Sequence, residues 1–190
     1  MAGSRRLIVG ISGASGAVLG IRLLQALQSL DVEVHLVVSK AAELTIAQET
    51  DVTLAEVLAL ADHVHEVANV GATIASGSFP TLGMAIVPCS IRTMSEIAAG
   101  VTSSLLTRAA DVVLKERRRL VLAVRETPLH ALHLRHLADL AAAGAIIAPP
   151  VPAFYTRPKT VDDIVDQSVG RILGLFGIDA GLAIQWRGLG

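Results

Sequence analysis

Residues 6–30, RLIVGISGASGAVLGIRLLQALQSL, restrict what this chain can fold into more than any other stretch. The apolar run Leu7-Ile8-Val9 reads as a buried strand. A turn of small residues, Ser12-Gly13-Ala14-Ser15-Gly16, follows it. Apolar residues then recur at Val18, Ile21, Leu24 and Leu27, with Leu23 alongside, at helical spacing. Strand, small-residue turn and helix open a nucleotide-type α/β fold. Glycines let the backbone approach a phosphate, and the free N–H groups at the positive end of a helix attract an anion. The pattern therefore predicts an anion at the first turn of this helix.

The rest of the chain repeats the alternation. Strands are expected at 32–38, 63–67, 84–87, 120–124 and 145–147. Helices are expected at 41–49, around Leu54, Val57 and Leu58, and at 91–99, 105–117, 129–142 and 161–175. Thr160 is placed to cap the last helix. Pro149, Pro150 and Pro152 force a loop through Phe154 and Tyr155. Continuously apolar strands between helices imply a parallel sheet covered on both faces, and so an α/β three-layer sandwich of flavodoxin-like or Rossmann-like type. No repeat or linker divides residues 1–190, so one domain is expected.

In such sheets ligands bind beyond the carboxyl ends of the strands. The informative residues are then Ser12 to Gly16, Ser39-Lys40, Pro88-Cys89-Ser90, Arg125-Glu126 and the loop around Tyr155. A P-loop is excluded, because no G-K-[ST] follows the turn. A nicotinamide dinucleotide wants an acid after the second strand, where Ser39 and Lys40 stand. A mononucleotide such as FMN suits these hydroxyls better. The net charge of -1 gives no footprint for nucleic acid or an anionic membrane, and no apolar stretch is long and unbroken enough to span a bilayer. Arg5-Arg6 before an apolar run imitates a secretory signal, but glycines and serines interrupt that run. The single cysteine, Cys89, allows no internal disulfide and fits a cytoplasmic protein. It follows a buried strand, so it reads as a packed residue rather than a nucleophile.

Arg125 beside Glu126 can bind a phosphate and move a proton next to it; the plain alternative is a surface ion pair. By position alone Lys115, Arg171 and Glu49 read as solvated surface. Tyr155 reads equally as a lid hydroxyl or a packing residue. Trp186, in the tail, reads as a residue that buries against another subunit. His130, His133 and His136 share nearly one helix face, but no acid or cysteine completes a metal site there.

Several stretches taken together resemble the UbiX/Pad flavin prenyltransferases, which are flavodoxin-like FMN-binding proteins, and the bacterial UbiX branch most of all. The matching stretches are GISGASGA at 10–17, VVSKAA at 37–42, Glu49-Thr50, SGSFPTLGM at 76–84 and PCSIRT at 88–93. They continue with RAADVVLKERR at 108–118, LAVRETPL at 122–129 and PPVPAFYTRP at 149–158. The resemblance implies a metal-independent transfer of a dimethylallyl group from dimethylallyl monophosphate to reduced FMN. Bonds form to flavin N5 and C6, giving prenylated FMN for a UbiD-type decarboxylase. It also implies a homo-oligomer, commonly a dodecamer, with active sites between subunits.

Carried over residue by residue, FMN would contact Ser12, Gly13, Ala14, Ser15, Ser39, Ser90, Ile91, Arg92, Thr93 and Arg125. Lys115, Arg125, Tyr155 and Arg171 would hold the substrate phosphate. Glu126, Glu49, Ser15 and Trp186 would be catalytic, with no metal. Two alternatives stand beside this reading. One is an FMN-dependent cysteine-type decarboxylase, although that family's P-A-S-A-N-T turn is P-C-S-I-R-T here, with Arg92 in place of the asparagine. The other is a flavin-carrying subunit of a decarboxylase complex.

Overall fold

A computed structural model describes residues 5–186 and Gly188. The elements run β1 (Arg6–Ile11), α1 (Ala17–Leu27), β2 (Glu33–Val38), α2 (Lys40–Glu49), α3 (Leu54–Leu58) and β3 (His63–His65). They continue with β4 (Gly83–Cys89), α4 (Ile91–Ala98), α5 (Leu105–Lys115), β5 (Arg119–Val124), α6 (Ala131–Ala142), β6 (Ile146–Ile147) and α7 (Val161–Gly174), with 3₁₀ turns at Thr73–Ala75 and Phe154–Thr156. The strands form one parallel sheet in the order β3-β2-β1-β4-β5-β6. The strand order reverses between β1 and β4, which is where a doubly wound sheet opens a ligand crevice.

Period-two alternation sorts the core into two layers. Leu7, Val9 and Ile11 of β1, with Ala85, Val87, Val121 and Ala123, pack under α1, α2, α3 and α7. Ile8, Met84, Ile86, Leu120 and Leu122 face the opposite way, under α4, α5 and α6. Strands apolar on both faces need helices on both faces, which is the expected three-layer architecture.

The expected elements form with shifted ends. Val18 is exposed and Leu19 points inward instead, since α1 begins at Ala17 and turns Ile21, Leu23 and Leu24 onto the sheet. The third and last strands are shorter than the apolar runs that announced them. Helix α6 begins at Ala131 rather than at 129, because His130 is extended and its ring caps the helix by accepting from the His133 N–H. Thr160 caps α7 as expected, in a reciprocal pair with Asp163.

A polar cluster sits at the amino ends of β1, β2 and β3. Glu33 takes Arg6 on one carboxylate oxygen at 3.0 Å, and His35 and His63 approach the other at 3.1 and 3.2 Å. His35 is buried, its Nδ1 2.9 Å from His65 Nε2, with Phe79 edge-on. A neutral His35 donating through Nε2 to Glu33 must accept at Nδ1, so His65 donates through Nε2. Burial lowers the His35 pKa, with the charges of His63 and Arg6 adding to it, against the pull of Glu33. Burial also lowers that of His65, helped by His35 and His63. The unfolded chain therefore takes up protons below about pH 6.5 that the folded chain resists. Stability is expected to be full above that pH and to erode as the pH falls through it. Melting temperatures should drop between about pH 7.5 and about pH 5.5, and His65→Gln should flatten the slope. An unchanged slope in that variant would remove this cluster from the account.

Candidate functional site

A row of hydrogen bonds continues past the sheet and sets four loops side by side. Ser39 N–H donates to Ile11 C=O at 3.0 Å, tying the end of β2 to that of β1. Ser12 N–H and Oγ donate to Pro88 C=O at 3.2 and 3.0 Å, and Ser12 Oγ accepts from Ser90 N–H at 2.7 Å. Arg125 N–H donates to Cys89 C=O at 3.1 Å. The turns after β1, β2, β4 and β5 are thereby aligned along the crevice. Ser12 is fully buried and its hydroxyl is committed in both directions. It lies beneath the site as a tie rather than offering its hydroxyl to a ligand.

The small residues of the first turn serve distinct purposes. A Cβ at Gly13 would lie 2.3 Å from Ala41 Cβ, so only glycine lets the first turn of α2 approach. Gly16 has φ 104°, a left-handed conformation that side chains disfavour. Ser15 is exposed.

The structure corrects one expectation here. The anion at the start of α1 is a side chain, not a phosphate. Glu49, the last residue of α2, accepts from Gly16 N–H at 2.8 Å and Ala17 N–H at 3.1 Å. Partial burial acts to raise its pKa. The two N–H bonds, the Ser15 side chain and the charge of Arg125 outweigh that and leave it below the usual glutamate value. A second anion on the same N–H groups would meet a fixed negative charge.

Helix α4 starts differently. Ser90 caps it, accepting from Thr93 N–H at 3.2 Å and donating to Thr93 Oγ1 at 3.1 Å. The N–H groups of Ile91 and Arg92 have no acceptor among the described residues. Arg92 itself reaches away, pairing with Glu96 at 2.9 Å at a highly exposed position, an interaction worth little. It can serve this site through its backbone rather than its guanidinium. Glu126 lies in the next loop, its carboxylate accepting from Thr127 N–H at 2.9 Å. Cys89 is wholly buried, and burial pushes its thiol far up, so it is packed and unreactive, as its position implied.

The remaining candidates lie elsewhere on the chain. Tyr155, Arg171 and Trp186 meet on the outer side of α7. The Tyr155 and Trp186 rings pack edge to face at 5.5 Å. Tyr155 and Arg171 line a groove of about 450 Å³ against β6, and with Trp186 they line a neighbouring hollow of about 690 Å³. Neither lining includes Ser15, Glu49 or Arg125. Lys115 ends α5 just before β5 begins, at the amino ends of the strands, and bonds Glu116 beside Gly77. One chain therefore does not gather Lys115, Arg125, Tyr155 and Arg171 around one point.

The three histidines at and after the start of α6 do not converge either. His130 stacks on His133, and His136 turns to Ser95. Among the described residues, three metal-type donors come within 4.8 Å of one another at Glu33, His35 and His63. Arg6 neutralises that carboxylate and the two imidazoles stack, which makes an ion-pair cluster. Gln167 is a buried polar residue that the sequence did not single out; it bonds Tyr155 and Ile184. It lies on the side of α7 away from Val165 and Val169, so the apolar periodicity of the helix gave no sign of its burial.

A family described as Flavoprotein matches residues 1–173. The flavin prenyltransferase UbiX of Escherichia coli is 58% identical over 187 residues, covering 97% of this chain and 99% of that protein. The crystal structure of AnUbiX (PadA1) in complex with FMN and dimethylallyl pyrophosphate superposes with a TM-score of 0.96 at 52% identity, covering 98% of this chain and 99% of that one. A dodecameric FMN-dependent UbiX-like decarboxylase from Escherichia coli O157:H7 superposes with a TM-score of 0.94 at 51% identity, covering 96% and 100%.

Ser12→Ala tests the tie beneath the site. It strands Ser90 N–H in a partly buried position and takes one donor from Pro88 C=O. The expected cost is about 1–3 kcal/mol in urea unfolding. A change well below that would mean the row of strand ends holds without the hydroxyl.

Proposed function

The chain belongs to the Flavoprotein family and, within it, to the UbiX flavin prenyltransferases, and from this we infer that it joins a dimethylallyl group to reduced FMN and releases prenylated FMN. The observation that carries the reading is the near-full-length identity to a named flavin prenyltransferase, which spans every strand-end loop. The donor is dimethylallyl monophosphate in this reading, and the pyrophosphate seen with AnUbiX is the second donor to test. The product goes to a UbiD-type decarboxylase. The assembly is a homo-oligomer, a dodecamer like the solved relative. No helix among the described residues is long and apolar enough to cross a membrane, which is compatible with work in the cytoplasm.

The residues present fit FMN. Two free N–H groups on α4, with the hydroxyls of Thr93 and Ser39, suit a phosphate dianion, and the start of α1 does not because Glu49 fills it. Gly13, Ala14 and Ser15 would lie along the flavin, with Arg125 at its edge. The reduced flavin supplies the nucleophilic ring atoms. The chain's part is to hold the two ligands together and keep water out. The departing phosphate takes the electron pair of the C–O bond. Cationic Lys115, Arg125 and Arg171, with the Tyr155 hydroxyl, stabilise that charge without a metal. Glu126 moves the proton. Glu49, held ionised, fixes Ser15 and balances Arg125. Trp186 covers the substrate.

Because one chain puts Lys115 before β5 and Arg125 after it, at opposite ends of the sheet, the site is assembled from neighbouring subunits. The activity test is anaerobic: chain, FMN, reductant and dimethylallyl monophosphate are mixed and the extracted flavin is weighed by mass spectrometry. A gain of one isoprenyl unit is expected. Unmodified FMN with both donors would sink the reading and favour a flavin-carrying subunit. The shared site has its own test. Lys115→Ala and Arg125→Ala homo-oligomers should each be nearly inactive, and co-assembled mixtures should recover part of the turnover. No recovery on mixing would mean that both residues serve the same chain's site.

A further inference from the structure

Gln167 is 4% exposed, midway along α7, yet it lies on the side of the helix opposite the core face of Val165, Val169, Ile172 and Leu173, buried under the tail that also packs on Gly170. A buried amide needs partners for each of its polar atoms or it costs stability. Its partners here are specific. Oε1 accepts from Ile184 N–H at 2.7 Å, and Nε2 donates to Ile184 C=O at 3.2 Å. The side chain thus grips one residue of the tail by both backbone groups, as a neighbouring strand would. Nε2 also donates to Tyr155 Oη at 3.2 Å, and that hydroxyl in turn donates to the same Ile184 C=O at 3.2 Å.

Three segments far apart in sequence are closed by one amide: the 3₁₀ turn Phe154–Thr156, helix α7 and the tail at 183–186. Ile184 is itself exposed, so burial of its side chain does not hold the tail in place. Two residues beyond it, Trp186 packs edge-on against the Tyr155 ring. Arg171 lies four residues after Gln167, one turn along the same helix face, and lines both hollows together with Tyr155.

We propose that Gln167 is a positioning residue of the phosphate-binding site: it orients the Tyr155 hydroxyl and latches the tail so that Trp186 lies over the hollow that Arg171 and Tyr155 share. This rests on the reading of Tyr155 and Arg171 as ligands of the donor phosphate. The amide is needed because it accepts and donates at once. A carboxylate of the same shape accepts from Ile184 N–H but repels Ile184 C=O and gives nothing to Tyr155.

The chain has one tyrosine and one tryptophan, so tyrosine-sensitised tryptophan emission involves these two positions alone. It is to be read on the FMN-loaded full chain without substrate, for wild type and Gln167→Glu. A second variant, Ile184→Pro, removes the tail N–H and leaves α7 intact, should the first fail to fold. Both variants are expected to lose most of the sensitised emission. Both should also raise the KM for dimethylallyl monophosphate about tenfold, with kcat and FMN affinity changed much less. Sensitised emission equal to wild type overturns the latch, whatever the chain catalyses. Lost emission with an unchanged KM overturns the positioning role. Tyr155→Phe, run in parallel, separates the two failures. If it raises the KM and Gln167→Glu does not, the phosphate site stands and Gln167 is not part of it. If neither raises it, the reading of Tyr155 as a phosphate ligand fails first.

Discussion

Everything at the crevice depends on how one buried hydroxyl is shared. Ser12 donates to Pro88 C=O and accepts from Ser90 N–H where the sheet order reverses. Parallel strands alone would bring β1 and β4 to this point and leave their loops to diverge. The shared hydroxyl fixes the start of α4 against the turn after β1, and backbone bonds from Ser39 and Arg125 extend that order to the flanking strands. A site assembled on such ties inherits the rigidity of the sheet.

The second constraint is electrostatic. The starts of α1 and α4 open into the same crevice, and each helix start is an anion site in principle. Glu49 occupies one of them with a fixed carboxylate, so the two ends are no longer equivalent. The start of α4 keeps its free N–H groups, and the charge of Arg125 helps to hold the Glu49 pKa below the usual glutamate value.

Period and composition made the sheet, its two apolar layers and the helix order readable, because a strand buried on both faces has no other way to be written. The strand-end loops were readable too, since topology sends them to one edge. Glu49 was not, because a glutamate at the end of a surface helix looks the same whether or not a neighbouring helix start lies within reach. Gln167 was invisible for a related reason: two of its three bonds go to backbone groups of Ile184, and backbone groups leave no trace in sequence. Lys115 was named only through family resemblance, and a single chain offers no geometry that gathers it with Arg125.

Cys89 closes β4 with its thiol fully enclosed and its ionisation suppressed by burial. Thiolates are what electrophiles and oxidants attack. A chain whose natural work requires strongly reduced flavin therefore keeps its one sulfhydryl out of redox traffic. The same feature makes the surface a blank slate for chemistry. A cysteine introduced at any exposed position becomes the single addressable thiol, so dyes, spin labels or cross-linkers can be placed on the native background without first removing a residue.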